Sequence, residues 1–155
     1  EGHDIEARSG MSFAALTSGI CLANAGLGVV HGFASSIGGR YNIPHGVICG
    51  TLMAVTNEVT VRKLRESAPY SPALKKYALL GEIFLDEKNG TEECLINGFI
   101  DYLNRLTDEL HLPLLKETGI NENDLKEIAL ITECKNNPIK LDSEELLEIL
   151  NRRIK

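Results

Sequence analysis

The residues of this chain best suited to chemistry are two histidines, His31 and His45, set in a stretch almost free of charge. From Ser9 to Asn57 the only charged side chain is Arg40, although 25% of the chain is Asp, Glu, Lys or Arg. Imidazoles in such apolar surroundings are either hydrogen-bonded or bound to something. Neutral imidazole is the commonest metal ligand and suits zinc or iron. A metal site, however, takes three or four protein ligands, and no carboxylate lies between Arg8 and Asn57 to join the pair. Spacing alone therefore leaves two readings open, a ligand pair or two histidines satisfied within a core or at helix ends. Cys49 follows His45 by four residues, which places both on one helix face and offers a soft sulfur. His111, in the segment ELHLP, reads as structural or exposed, and the adjacent His3 and Asp4 as surface residues.

The elements that must position these groups are helical throughout. Residues 4–24, rich in Ala and Leu, read as a helix closed by Gly26. A second helix spans 27–37 and ends at Gly38-Gly39, whose paired glycines, with Pro44 beyond them, carry turn chemistry. That turn can send the chain back, so that His45, opening a third helix over 44–66, meets His31 in one pocket. The segment VICGTLMAV of this helix is apolar on every side and is expected to be fully buried. Helical spacing returns at 73–85, 92–110 and 121–132. Asp142 and Glu145 form a capping-box pattern ahead of LLEILNRRI, with Arg152, Arg153 and Lys155 at its C-terminal end. No segment alternates with period two for long. The expected fold is all-α, a single helical domain over 1–155 with about six to seven helices.

Composition narrows the functional classes. A net charge of -6 argues against nucleic acid as a partner, since phosphate binding needs clustered Lys and Arg. The short basic group Arg62, Lys63 and Arg65 reads as a solvated helix face. The four cysteines are far apart with no CxxC pair, which points to a reducing, cytoplasmic setting rather than a disulfide framework. Residues 11–30 form an uncharged run, but Ser12, Thr17, Ser18, Asn24 and three glycines make a membrane span unfavourable. A helix buried in a helical protein is expected there, and no membrane partner.

One ordered set of residues resembles a known family. Gly26, Leu27, Gly28, His31, Gly32, Gly38, Tyr41, Pro44, His45 and Gly46 are similar in kind and spacing to the histidine region of the iron-containing (group III) alcohol dehydrogenases. Asn137-Pro138 before an acidic capped helix resembles the family's C-terminal end. The resemblance implies the latter part of a dehydroquinate synthase-like helical domain, without the N-terminal Rossmann-like domain. In that family an aspartate and three histidines hold the metal, and His31 and His45 match the last two histidines. The implied cofactors are Fe2+, or alternatively Zn2+, with NAD or NADP held mainly by the N-terminal domain. The implied reaction interconverts a small alcohol and an aldehyde or ketone by hydride transfer, in a parent enzyme that forms homo-oligomers.

Two further positions take their meaning from the resemblance. Ser35 stands one helical turn after His31, where several family members carry a histidine near the substrate, and Leu22 falls where a side chain lines the substrate pocket. Packing accounts for either residue as well. The family uses no sulfur ligand at the position of Cys49. The Gly28-x-x-x-Gly32 pair is expected to permit close helix contact beside the pocket. Two alternatives stay open, a zinc-dependent polyol dehydrogenase of the same superfamily and a non-catalytic helical module with a structural metal or packed histidines. With two imidazoles and no dinucleotide site, the 155 residues alone are expected to be catalytically silent and to bind iron or zinc poorly.

Overall fold

The computed structural model describes residues 2–87 and 89–155. Among them there are seven α-helices and no strand: α1 (Ile5–Ala25), α2 (Val29–Gly38), α3 (His45–Ser67), α4 (Pro72–Leu85), α5 (Glu92–Glu109), α6 (Leu125–Ile131) and α7 (Ser143–Ile154). Two 3-10 turns, Leu115–Thr118 and Glu122–Asp124, connect α5 to α6. Local chemistry accounts for the boundaries. Asp4 caps α1 by accepting from the Glu6 and Ala7 N–H groups, Thr91 caps α5, and Asp142 and Glu145 close a reciprocal capping box on α7. Pro44 is the N-cap of α3 rather than its first helical residue, one position earlier than proline's usual place.

α1 departs from expectation. None of its side chains is buried, and Ile5, Met11, Phe13, Leu16, Ile20 and Leu22 stand 47–73% exposed. Its polar groups are satisfied on the helix itself: Ser9, Thr17 and Asn24 donate to the carbonyls of Ile5, Phe13 and Ile20. The apolar residues were expected to be inside, but no element among the described residues covers them. α1 turns through 96° into α2 at Gly26, whose φ of 71° is a conformation that favours glycine. No single described helix is long and apolar enough to cross a membrane, although α1 and α2 would pass that test as a bent pair.

Two cores flank α3. Val29, Phe33 and Ile37 of α2 pack with Ile48, Leu52, Val55 and Val59 of α3, Ile128 of α6 and Ile149 and Leu150 of α7. On the other side Ala54, Val61 and Leu64 of α3 meet Leu74 and Tyr77 of α4 and Leu95, Ile96, Phe99 and Leu103 of α5. Helical periodicity thus sends alternate faces of α3 into different cores. The segment VICGTLMAV is only partly inside, because Val47, Cys49, Gly50 and Met53 are half-buried. Burial in the second core pushes the Tyr77 phenol up to about 12, while its hydroxyl donates to Asn57 Oδ1 at 2.7 Å.

Glycines allow the closest approaches. A Cβ on Gly32 would lie 2.0 Å from the Glu133 carbonyl oxygen, and one on Gly81 would lie 2.2 Å from that of Leu95. The first contact presses α2 onto the chain that follows α6, not onto another helix as the Gly28/Gly32 spacing suggested. Around it Ser36 and Thr132 share a hydrogen bond of 2.7 Å, and the Asn136 N–H donates to Leu27 O at 2.8 Å. The Asn136 side chain also donates to Ala25 O at 2.9 Å, pinning the α1–α2 corner.

Ion pairs tie α3 to α7. Arg62 makes a bidentate pair with Glu148 at 2.7 and 2.6 Å, Lys63 reaches Glu145 at 2.7 Å, and Arg152 reaches Glu58 at 2.6 Å. The basic group read as a solvated face is therefore engaged, with Arg65 also donating to Asn97. Arg153 is half-buried, and burial pulls its guanidinium down. It is matched by Thr51 Oγ1 and the carbonyls of Leu112 and Pro113 rather than by a carboxylate.

Two predictions follow from the packing and the charges. Gly32→Ala and Gly81→Ala should each cost about 1–3 kcal/mol in denaturant melts, since backbone must shift. Gly46→Ala, with nothing within 4 Å, should cost nothing measurable. The Arg62 hydrogen bond holds Glu148 below the ordinary carboxylate range, the Glu145 backbone N–H does so for Asp142, and Arg40 does so for Glu127. Their contribution is complete above the unfolded values near ~4 and is lost as pH falls through the lower folded values. The carboxylate contribution to thermal midpoints should accordingly stay level down to about pH 5 and drop below about pH 4, with a shallower drop in Arg62→Met, while His31, whose protonation the fold disfavours, adds a separate small decline that begins near ~6.5.

Candidate metal centre

His31 lies in the first turn of α2, where its N–H donates to the carbonyl of the N-cap Gly28 at 3.1 Å. His45 is the first residue of α3. Between them the chain leaves α2 with the Arg40 and Tyr41 N–H groups both donating to Ile37 O at 2.9 Å. Segment 39–44 is then anchored from outside, by Tyr41 OH donating to the Asp124 carboxylate and by Arg40 pairing with Glu127. The reversal does not exploit glycine's special freedom, because Gly39 has φ -72°, open to any residue.

The result is that the two imidazoles meet. Their ring centroids are 5.3 Å apart with planes inclined at 45°. One turn along α3, Cys49 Sγ lies 3.4 Å from His45 Nε2, and one ligating atom from each of His31, His45 and Cys49 falls within 4.8 Å of the others. His31 and Cys49 are half-buried and His45 is exposed. Burial lowers the affinity of His31 for a proton, and the nearby charges of His45 and Lys135 lower it further. Burial raises the Cys49 thiol. Neutral imidazole is the form that ligates a metal, so the setting of His31 keeps its lone pair available.

The donor set fits a divalent ion. Ligand atoms around one tetrahedral zinc lie about 3.3–3.6 Å apart, given metal–ligand lengths of about 2.0–2.3 Å. The observed group is within small side-chain adjustments of that spacing.

The other residues singled out in the sequence lie elsewhere or act locally. Ser35 is exposed, and its hydroxyl donates to the His31 carbonyl at 2.9 Å. Leu22 is 47% exposed on α1, on the far side of the Gly26 corner. His3 is exposed, and Asp4 serves as the α1 cap. His111 is exposed with φ 51°, its Nδ1 2.7 Å from Asp108 O. Sequence reasoning did not find Lys135 or the Glu133–Asn136 contacts, which reach the site from a distant part of the chain and leave no local spacing signal.

The chain is similar to known proteins over nearly its whole length. Residues 1–154 match the family described as "Fe-containing alcohol dehydrogenase family, C-terminal". The chain is 32% identical over 157 aligned residues to alcohol dehydrogenase 4 of Saccharomyces cerevisiae, covering 98% of this chain and 38% of that protein. It is 33% identical over 153 to alcohol dehydrogenase 4 of Schizosaccharomyces pombe, covering 96% and 33%. It superposes on the solved structure of an alcohol dehydrogenase from Oenococcus oeni with a TM-score of 0.81 at 26% identity, covering 99% of this chain and 39% of that one. The chain thus spans between a third and two fifths of the length of these relatives. With the family match over residues 1–154 and the fold in agreement, the chain belongs to the iron-containing alcohol dehydrogenase family, whose C-terminal helical part it matches.

Proposed function

We propose that these residues form the metal-holding part of an NAD(P)-linked alcohol dehydrogenase, with His31 and His45 as protein ligands of Fe2+ or Zn2+. The observation that carries this reading is the 5.3 Å approach of the two rings across a loop anchored by Tyr41 and Arg40. When bound there, a divalent ion supplies Lewis acidity toward an alcohol or carbonyl oxygen. The work of this chain is to present two imidazoles from two helix starts at a fixed distance. Burial of His31 and the packing of α2 on Glu133 hold one ring in place. Capture of His45 by the first turn of α3 holds the other. Leu22 and Ser35, both exposed, are assigned to the substrate side, and the substrate is a small alcohol or its aldehyde or ketone. The nicotinamide cofactor, NAD or NADP, is assigned to residues outside these 155, in a cytoplasmic parent enzyme that forms homo-oligomers.

The test is metal titration of the purified chain under anaerobic conditions, with Fe2+ and Zn2+ measured separately. His31→Ala and His45→Ala should each weaken binding at least about 10-fold, since loss even of a partner behind a ligand costs that much. Unchanged metal content in both variants would contradict the assignment. Incubation of the same chain with Fe2+, NADH or NADPH and short aldehydes should give no turnover.

A further inference from the structure

Residues 39–44 separate α2 from α3, and the way they lie decides where His45 enters α3. Their backbone bonds are local: the Arg40 and Tyr41 N–H groups donate to Ile37 O, and the Ile43 N–H donates to Tyr41 O. The ties to another part of the fold are side chains, Tyr41 OH donating to the Asp124 carboxylate and Arg40 pairing with Glu127. These two ties are unequal. The Arg40–Glu127 pair is exposed on both sides, where an ion pair contributes little and salt screens it. Tyr41 and Asp124 are half-buried, and Tyr41 packs against the core that holds Phe33 and Ile48. Asp124 is also the N-cap of α6, where an aspartate ordinarily accepts from the helix's own N–H groups. Its side chain makes no such bond and accepts from Tyr41 instead. The local use of this carboxylate has been given up for a contact 83 residues away.

Asp124 opens the same segment whose other end seats α2. Further along it, Thr132 bonds to Ser36, Glu133 meets Gly32, and the Asn136 N–H donates to Leu27 O. Residues 124–136 therefore touch both sides of the histidine pair. Their end fixes the first turn of α2, which carries His31, and their start fixes the chain that delivers His45.

We infer that Tyr41 and Asp124 are positioning residues that fix where His45 stands relative to His31, with residues 124–136 as the common reference for both rings. The inference rests on the reading of His31 and His45 as ligands and deepens it. Whatever other groups complete the site, the separation of these two imidazoles is set by a hydrogen bond that touches neither. Ligands must be held to within about 0.5 Å of their working geometry, and a six-residue loop with only local backbone bonds does not supply that alone.

The experiment follows variants of the purified, reduced chain by Zn2+ titration and, without metal, by NMR cross-relaxation between the ring protons of His31 and His45. The wild-type chain should show the ring contact. Tyr41→Phe keeps the packed ring and removes only the hydroxyl; it should weaken Zn2+ binding about 10-fold and weaken the ring contact with it. Asp124→Ala should do the same, and the double variant no more than either, because the two residues act as one bond. Asp124→Asn, whose side-chain carbonyl oxygen still accepts from Tyr41, should restore most of both signals. Arg62→Met breaks the Glu148 pair at the far end of α3 and serves as the control for stability alone. It should lower the melting midpoint and leave zinc affinity and ring contact as in the wild type. If Tyr41→Phe and Asp124→Ala behave like Arg62→Met, the positioning role is overturned and the histidine ligands stand. If the ring contact fails in Tyr41→Phe while zinc binding proves indifferent to His31→Ala and His45→Ala, the ligand reading falls and the positioning role stands.

Discussion

The close seating of α2 on the chain that follows α6 is the constraint from which the candidate site derives its shape. Only a residue without a side chain can lie where Gly32 meets the Glu133 carbonyl, 2.0 Å from the position a Cβ would occupy. Once that approach is made, the Ser36–Thr132 hydrogen bond and the Asn136 N–H to Leu27 O bond fall into place on either side of it. These contacts set the height and rotation of the first turn of α2, and His31 sits on that turn. The same seating brings Lys135 near enough for its charge to act on His31. A glycine whose local conformation is unremarkable therefore does more for the imidazole than the residues beside it in sequence.

Much of the fold was legible in the sequence, and the reasons are local. Caps such as Asp4 and the Asp142–Glu145 pair depend on neighbours within a single turn, so reading them needs no knowledge of tertiary structure. Apolar spacing located α4, α5 and α6 for the same reason, since it reports on one face of one helix. The 3-10 turn Leu115–Thr118 escaped notice because its anchor is a single buried leucine in a loop, too short for any period to appear.

Burial was harder to read. An apolar run states what a side chain prefers, not whether a surface is present to receive it. The apolar residues of α1 look like core residues in the sequence and stand exposed in the fold, because no described element packs over them. Arg62 and Lys63, which read as a free basic face, are instead paired, because α7 supplies the carboxylates opposite. The candidate site lies between these cases. The histidines could be paired from their spacing and the likeness of their surroundings, and Cys49 could be set beside His45 by its four-residue spacing, whereas the approach of Cys49 to His31 depends on how α2 and α3 pack, which no spacing states.

α3 is a single unbroken rod of 23 residues, about 34 Å long at 1.5 Å per residue. One end carries His45 and Cys49, the middle separates the two cores, and the far end is gripped by Leu64 and the Arg62 and Lys63 pairs. Of the two histidines only His45 rides on this rod, while His31 rides on α2, so the separation of the rings is set by how the two helices are held against each other. The second core contributes no ligand, yet by packing on the same helix it helps fix the axis along which His45 is presented.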